Sequence, residues 1–336
     1  MVNLQSEFIE FHKTIMLDDE NDILRKKRDI LLNKLNEKIS SEAASYTHFN
    51  QGSYAMGTGI KPDNGDYDID VGLKFNIDKN DYIDPIEVKK WVKDALSGHT
   101  KKVEIRRSCV TVTYQENGED AYHVDFAVYA SNNADGKLYI AKGKENSSPE
   151  NKFWEETDPQ ELLDLINQRF SNPEDRKQFK RVIRYAKKWK NKHFDISGNS
   201  APTGIALTAL AYTSFQPIYT IDSFTGNRIY NDFLAFKSLM MRIRDSFSQQ
   251  WDSDSQQYYF AINQALPVRP WNNLFGKMTP KQQDGFHEKV LSLIAKLDEA
   301  EKKAKKAEAC QCMVDVFGID FPVTVEKSYV GSSESA

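Results

Sequence analysis

Two aspartates interrupt an otherwise apolar run, YDIDVGLKF, at residues 67–75. Side chains along a β-strand alternate between its faces, so Asp68 and Asp70 would share one face and Ile69 would point to the other. Two ionised carboxylates this close repel each other, and a cation between them removes that cost. Because Mg²⁺ prefers carboxylate and phosphate oxygens, the pair predicts a magnesium site. The same pattern also fits the solvated face of an edge strand.

Two further features stand at intervals that suit a nucleotide site. Upstream of the aspartates, Gln51, Gly52 and Ser53 form a candidate phosphate-binding turn. The glycine permits a close backbone approach, and the serine offers a hydroxyl and an amide to a phosphate oxygen. Downstream, a second β-rich run at residues 121–129 is interrupted by Asp125, a candidate third ligand. Gly-Ser alone carries little information, whereas the three features in this order make a demanding pattern.

These residues resemble the signature of the nucleotidyltransferase superfamily related to DNA polymerase β: Gly52-Ser53, Asp68-Ile69-Asp70 and Asp125. The text around them, QGSYAMGTGIKP followed by DYDIDVGLKF, is similar to the bacterial cyclic-oligonucleotide synthases, the DncV-like relatives of animal cyclic GMP-AMP synthase. Later segments agree, so the resemblance spans most of the chain: WEETDPQEL, RYAKKWK, SAPTGIALTALAY and AEACQCMVDVFGIDFP.

The resemblance implies an enzyme that joins ATP, GTP or pyrimidine nucleoside triphosphates into a cyclic di- or trinucleotide second messenger and releases pyrophosphate. Its cofactors would be two Mg²⁺ ions, replaceable by Mn²⁺, about 3.5 to 4 Å apart on the two sides of an in-line displacement. Asp68 and Asp70 would hold the ion on the triphosphate. Asp68, Asp70 and Asp125 together would hold the ion that lowers the pKa of the attacking ribose hydroxyl.

Two later segments are implied to reach the triphosphate. In the family a lysine of the segment matching RYAKKWK makes this contact, and the matching residue here is Lys187. A solvated basic helix face shared with Lys180 and Arg184 is the alternative. Pro202 predicts a helix start, which would place Thr203 at a positively polarised helix end suited to phosphate. The family usually has serine at the position of Thr203.

Four further residues lie near these motifs. His123 would share a strand face with Asp125 and is expected to support the site or the fold rather than to catalyse. Tyr54 either stacks on the substrate or braces the turn before it. Arg106 and Arg107 are expected on a strand, where one of two consecutive residues must face the site, and the sequence does not choose between them.

Helical and strand-like patterns alternate along the chain. Leucines at helical spacing behind an acidic start at Asp18 predict a long helix to about Ala44. After Pro159 the pattern is helical to near the end, with apolar stripes at 179–189 and 286–307. The Asn117-Gly118 pair is a turn signal between two of the predicted strands. Besides a helix near 85–96, the middle of the chain predicts strands at 67–75, 103–108, 110–114, 121–129 and 138–141.

These patterns, with the resemblance, predict an α/β (α+β) fold: a polymerase-β-like nucleotidyltransferase lobe with a mixed β-sheet, packed against a C-terminal helical lobe. The catalytic lobe would span residues 1–158, including the long N-terminal helix, and the helical lobe residues 159–327. Residues 328–336, a small polar stretch, are expected to form a flexible tail.

Composition narrows the function further. A net charge of −4 and a pI near 6.0 disfavour a surface built to hold duplex nucleic acid. Cys109, Cys310 and Cys312 lack the spacing of a disulfide framework or a zinc site and are interpreted as reduced thiols. The animal enzyme is switched on by DNA through a zinc-bearing insertion, so direct activation by DNA is not expected here. Without a long apolar run or a secretory signal, we expect a cytoplasmic protein with no membrane span.

Two other functions stay open: a linear nucleotidyltransferase acting on RNA, protein or a small acceptor, and a catalytically inactive nucleotide-binding scaffold. The presence of all three candidate acids disfavours the scaffold. The resemblance also implies antiphage (CBASS) signalling from an operon whose effector responds to the product. An operon-encoded regulator and a ubiquitin-like system that conjugates the C-terminus are the partners it suggests, and the SSESA tail is sterically compatible with conjugation.

Overall fold

The computed structural model describes residues 2–17, 19–63, 65, 67–116, 118–195 and 200–324. The helices are α1 (Gln5–Ile15), α2 (Asp19–Lys38), α3 (Gly52–Ala55), α4 (Ile86–Leu96), α5 (Pro159–Asn167), α6 (Pro173–His193), α7 (Gly204–Ser214), α8 (Asp232–Asp245), α9 (Pro280–Lys302) and α10 (Lys306–Phe317). The strands are β1 (Tyr46–Gln51), β2 (Tyr67–Phe75), β3 (Lys102–Ile105), β4 (Val110–Glu116), β5 (Glu119–Ala130), β6 (Tyr139–Lys142), β7 (Phe153–Glu156), β8 (Tyr219–Ile221), β9 (Arg228–Tyr230), β10 (Phe247–Asp252) and β11 (Gln257–Ile262).

The chain divides into two compact units. The sheet unit comprises Met16–Asn172 and Gln264–Leu274. The helical unit comprises Met1–Ile15, Pro173–Asn263 and Phe275–Ala336. Within the described residues of both units, no helix is long and apolar enough to cross a bilayer.

The sheet unit is built on a mixed sheet, as predicted. Its strands run in the order β1-β2-β5-β4-β3, with β6 paired to the end of β5 and β7 paired to β6. The β2–β5 pair is parallel, and the other pairs are antiparallel. This arrangement brings the two acid-bearing strands, which are far apart in the sequence, side by side at the centre of the sheet.

The alternation of β2 explains which face of the sheet is buried. Ile69, Val71, Leu73 and Phe75 are fully buried in a core shared with α2 and α4. Asp68, on the opposite face, is exposed. Burying a large apolar side chain stabilises the fold by about 1.5–3 kcal/mol. A one-residue shift in register would move all four of these side chains to the opposite face, so their burial fixes the orientation of the strand. The predicted split of the strand faces therefore agrees with the structure.

The helical unit has an aromatic core. Tyr185 of α6 contacts Phe8 and Phe11 of α1 and Phe317 of α10, with ring centroids 5.1, 5.9 and 6.2 Å away. These contacts explain why α1 belongs to the helical unit. The apolar stripe predicted along α6 is buried as expected: Phe179, Val182, Ile183, Ala186 and Trp189.

The units differ from the predicted boundary at 158/159 in three places. The first is α1, which packs in the helical unit. The second is residues 159–172, where Asn167 Nδ2 donates to the carbonyl of Ala55 at 3.4 Å. The third is residues 264–274, where Arg269 pairs with Glu156 at 2.5 Å. Residues 328–336, with the SSESA tail, lie outside the described residues.

Several local predictions need correction. The long helix ends at Lys38 rather than near Ala44, and Asp18, like Asn117 of the predicted turn, lies outside the described residues. The stripe at 286–307 is split because Lys303 adopts an extended conformation, which lets α10 fold back onto α9. The segment predicted as wholly helical after Pro159 also contains the hairpins β8–β9 and β10–β11.

Candidate active site

The parallel pairing of β2 with β5 gathers the predicted acids. Asp70 lies directly opposite Asp125 in the register, and Asp68 lies opposite His123. Directly opposite residues in neighbouring strands point to the same face of a sheet. The three aspartates therefore occupy one face, the face opposite the apolar core. Asp68 is exposed, and Asp70 and Asp125 are half-buried.

Asp125 is held by a residue that sequence reasoning missed. Thr111 of β4 lies opposite it in the antiparallel register, and the Thr111 hydroxyl donates to Asp125 Oδ1 at 2.5 Å. Cys109 lies next in this series, its Sγ 3.5 Å from Thr111 Oγ1. Burial, followed by the negative charge of Asp125, raises the pKa of the Cys109 thiol to about 12. The thiol is thus neutral beside an acid that a hydroxyl orients.

The Gly-Ser turn lies against the same acids. β1 pairs with β2 so that Gln51, its last residue, is opposite Asp70. Gly52 follows with φ +69°, and a Cβ at that position would lie 1.8 Å from Asp70 Oδ2. Only glycine allows the backbone to come this close in this conformation. The hydroxyl of Tyr129 donates to Gln51 Oε1 at 2.7 Å and anchors the turn to β5.

The residues that flank this turn are tied to α2. Arg25 Nε donates to the Tyr54 hydroxyl at 2.6 Å, and Arg28 donates to Asn50 Oδ1 at 2.8 Å. These contacts favour the bracing role for Tyr54 over stacking on a substrate. In the sequence, the basic run at residues 25–28 was the signal that could have pointed to these two contacts.

Arg106 and Arg107 do not lie on a strand, so that prediction was wrong. β3 ends at Ile105, and the two arginines form the turn to β4, closed by a bond from the Arg106 amide to the Cys109 carbonyl at 2.9 Å. Both side chains are exposed, because strand alternation does not apply in a turn. His123 is buried, with Nδ1 3.4 Å from Thr113 Oγ1, which is compatible with a supporting role.

In the helical unit, Lys187 and Thr203 both lie at the N-terminus of α7. A Cβ on Gly204, the first residue of α7, would lie 3.5 Å from Lys187 Cε and 3.9 Å from its Nζ. Thr203 is the N-cap of α7, and its hydroxyl accepts from the Ala206 amide at 3.2 Å. Pro202 therefore precedes the cap and is not the first helical residue as predicted.

The basic row on α6 is not a solvated face. Lys180 and Arg184 are half-buried, and Lys187 is buried. Burial lowers the pKa of Arg184 to about 10. Burial, and then the positive charges of Arg184 and Arg176, lower the pKa of Lys180. The basic side chains of this row thus bring several positive charges together where they are partly shielded from solvent.

Comparison with known proteins assigns the acid-bearing segment. Residues 47–129 match the family model for the nucleotidyltransferase domain of DncV-like cyclic GMP-AMP synthases. The match includes the Gly-Ser turn and all three aspartates. This segment is thus similar to the nucleotidyltransferase domain of DncV-like proteins. The resemblance drawn from the motifs is therefore confirmed for this segment.

Relatives and solved structures extend the comparison. A cyclic GMP-AMP synthase of Escherichia albertii is 28% identical over 169 residues, 48% of this chain but only 35% of the relative. The Vibrio cholerae cyclic AMP-GMP synthase DncV superposes with a TM-score of 0.68 at 16% identity, covering 96% of this chain and 100% of DncV. Escherichia coli MS115-1 CdnC, solved in a complex with HORMA-deltaN, superposes with a TM-score of 0.66 at 18% identity. The superposition covers 96% of this chain and 98% of CdnC. The fold of the chain is thus the DncV fold, as predicted.

The three aspartates of the sheet unit form a donor set that fits divalent metal ions. Three carboxylates share one face, and the missing Cβ of Gly52 leaves the backbone in contact with Asp70. Carboxylate oxygens are the ligands that Mg²⁺ prefers. Among the described residues, no three carboxylate, imidazole or thiol groups lie close enough together to hold an ion. The fit therefore rests on the backbone positions of Asp68, Asp70 and Asp125 and on their chemistry.

Proposed function

We propose that the chain is an enzyme that joins nucleoside triphosphates into a cyclic di- or trinucleotide and releases pyrophosphate at each step. The observation that carries this proposal is the pairing of Asp70 with Asp125, with Asp68 on the same face, inside a DncV-like domain. Solved relatives support the substrate class: DncV has been solved with the linear intermediate 5′ pppA(3′,5′)pG, and CdnC with ATP.

Mg²⁺, with Mn²⁺ as a substitute, is the proposed cofactor. Two bound ions would lower the pKa of the attacking ribose hydroxyl and stabilise the entering and leaving oxygens. Asp68 and Asp70 are the proposed ligands on the triphosphate side, and all three aspartates on the ribose side. Thr111 holds the Asp125 carboxylate in one orientation through the bond to Oδ1. The chain thereby presents Asp125 ready to ligate, at little cost in side-chain entropy.

Phosphate binding is assigned to two places. In the sheet unit, Gln51, Gly52 and Ser53 form a turn fixed against Asp70, where the serine hydroxyl and amide are suited to phosphate oxygens. In the helical unit, Lys187 lies at the N-terminus of α7, where Thr203 is the cap. A lysine ammonium at the positive end of a helix favours an anion. We propose that each of these two places binds phosphate oxygens of a nucleoside triphosphate.

One of the same relatives supports a proposal about the wider setting. CdnC has been solved in a complex with HORMA-deltaN, which shows that a protein of this fold assembles with a partner protein. We propose a role in cytoplasmic antiphage signalling, with an operon-encoded regulator as a partner. Conjugation of the C-terminus belongs to the same proposal. Loss of protection against phage in cells carrying the Asp68→Asn/Asp70→Asn chain would support this role, and unchanged protection would contradict it.

The direct test is a product assay. The purified chain is incubated with all four nucleoside triphosphates and Mg²⁺ or Mn²⁺, treated with phosphatase, and analysed by mass spectrometry. We expect phosphatase-resistant cyclic products from the native chain and none from Asp68→Asn/Asp70→Asn. Asp120→Asn is the matched control, because Asp120 lies on β5 like Asp125 but bonds to Gln115 and Lys102. It should leave product formation unchanged.

Two other outcomes would contradict the proposal. A ladder of phosphatase-sensitive products would indicate a linear nucleotidyltransferase. If neither the native chain nor the variants formed product with either metal ion at any pH tested, the result would indicate a nucleotide-binding scaffold.

A further inference from the structure

Lys89 is a buried lysine that the proposed chemistry does not use. It lies on α4, is 0% exposed, and its Nζ donates to the carbonyl oxygens of Arg106, Arg107 and Gly143 at 3.0, 2.9 and 3.0 Å. Lysine is almost never fully buried unless its charge is satisfied. Three carbonyl oxygens match the three protons of an ammonium group. Lys89 therefore ties three backbone segments to one point.

Burial and hydrogen bonding act in opposite directions on the charge of Lys89. Burial lowers its pKa to about 7, and the positive charge of Lys142 acts in the same direction. The three carbonyl oxygens favour the ammonium form, because a neutral amine has only two protons for three acceptors. Cys109 is the other titratable group that faces it.

The segments that Lys89 joins also bond to each other. Arg106 and Arg107 form the β3–β4 turn, whereas Gly143 follows β6 directly. The Gly143 amide donates back to the Arg107 carbonyl at 2.9 Å. Gly143 has φ +119°, and a Cβ there would lie 2.9 Å from the Asn151 carbonyl oxygen. The position of this backbone is thus tightly determined on both sides of Lys89.

The tied turn leads directly to the acid face. Cys109 ends the turn, β4 begins at Val110, and the next residue is Thr111. Thr111 donates to Asp125 Oδ1 at 2.5 Å, and Cys109 Sγ lies 3.5 Å from Thr111 Oγ1. A displacement of the turn would therefore move Cys109 and Thr111. Through the hydrogen bond from Thr111 it would also change the orientation of the Asp125 carboxylate.

We propose that Lys89 is a positioning residue for Asp125: its ammonium group holds the Arg106–Arg107 turn against Gly143 and so holds Thr111 in place to orient the Asp125 carboxylate. The tie itself is a property of the sheet unit. Its effects on metal binding and on turnover rest on the proposed function.

The first experiment measures the tie without enzyme activity. The full chain is exposed to a thiol reagent, and mass spectrometry follows the label at each cysteine. Lys89→Met should accelerate labelling of Cys109 about tenfold, since it removes charge-assisted hydrogen bonds to the turn. Cys310 and Cys312 lie in the helical unit and report any unfolding that reaches that unit, so their rates should not change.

Lys93→Met is the matched control. Lys93 is also on α4, one turn later, but pairs with Glu145 at 2.6 Å and does not bond to the turn. Its Cys109 rate should stay within about twofold of the native rate. If Lys89→Met does not fold, Lys89→Gln retains two amide protons and should give a smaller acceleration in the same direction. An unchanged Cys109 rate in the folded variant would overturn the proposal.

The second experiment tests the effect on Asp125. Binding of Mn²⁺ alone, measured by electron paramagnetic resonance, should weaken about tenfold in Lys89→Met, as is typical for residues that orient metal ligands. Turnover should fall by a similar factor, with little change in KM. In a Thr111→Val background the effect of Lys89→Met should shrink below about twofold, because the path is already broken.

The outcomes separate this proposal from the proposed function. Equal effects of Lys89→Met with and without Thr111 would show that Lys89 does not act through Thr111. A native chain that forms no product would contradict the proposed function, and Cys109 labelling would still decide whether Lys89 holds the turn.

Discussion

Asp125 in the sheet unit and Asp232 in the helical unit are both withdrawn from solvent, but the chain treats them differently. Asp232 is 0% exposed and receives two bonds from Arg181, at 2.5 and 2.8 Å, with others from Gln178 and Tyr185. Asp125 is half-buried and receives the neutral hydroxyl of Thr111. An arginine cancels the charge of one acid, whereas a threonine orients the other and leaves its charge to act.

The surroundings of the two acids show the consequence. The negative charge of Asp125 contributes to raising the pKa of the Cys109 thiol to about 12. The carboxylate of Asp232 is held between α6 and α8 in a network that also includes the Gln5 side chain, which accepts from the Asp232 amide. A buried ion pair of this kind joins elements, while an acid with retained charge suits a ligand for a cation.

The largest expected effect is on turnover. Asp125→Asn should lower it about a thousandfold or more, beyond the roughly 10- to 100-fold typical of residues that only support ligands. The amide can still accept from Thr111, so the free energy of unfolding should change by less than about 1 kcal/mol. Product formation and urea unfolding of the same preparation test both parts. Retained activity would remove Asp125 from the ligand set.

The reverse result is expected for Asp232→Asn. Removing the charge leaves Arg181 buried without compensation, which costs about 3–5 kcal/mol of unfolding free energy. Asp245→Asn, at the exposed other end of α8, is the control and should cost less than about 0.5 kcal/mol. Equal stability of the two variants in urea would break the comparison.

Gly52→Ala tests how closely the turn must approach the acids. The new Cβ would meet Asp70 Oδ2, so turnover should fall roughly a hundredfold, a loss that misplacement by about 1 Å can cause. The left-handed conformation adds about 1–2 kcal/mol of destabilisation. Gly136→Ala is a matched control, because Gly136 has φ +70° but open space around it. The control should lose stability and keep turnover; loss of turnover in both variants would show that backbone strain alone is responsible.

The smallest effect concerns pH. Burial, and then the charge of Arg184, lower the pKa of His12 to about 4, while Asp232 acts in the opposite direction. The unfolded chain takes up this proton below about pH 6.5, whereas the folded chain takes it up only near pH 4. The free energy of unfolding therefore decreases as the pH is lowered from about 6.5 to about 4. We expect about 1 kcal/mol between pH 7 and pH 5, allowing for partial exposure. His12→Gln should flatten this part of the curve, and an unchanged curve would exclude His12 as its source.

Much of the sheet unit could be predicted from local pattern. The bounds of β2 agree with the predicted 67–75 because the alternation of apolar and polar residues is a property of consecutive positions. The helix predicted near 85–96 was also found, as α4 at Ile86–Leu96. Prediction failed at Arg106 and Arg107, where a turn replaces the strand, and at the short hairpin β8–β9. Asp222 accepts from the amides of Phe224 and Thr225 there, a local turn within a segment that otherwise looked helical.

The sequence by itself determined which side chains of β2 share a face and that a glycine stands at the entrance to the acid site. Only the tertiary structure decided that Asp125 is the neighbour of Asp70, that Thr111 orients it, and that Lys89 holds the turn before Thr111. The physical reason is range. Alternation within a strand depends on neighbouring residues, whereas register between distant strands and the satisfaction of a buried charge depend on how the whole unit packs.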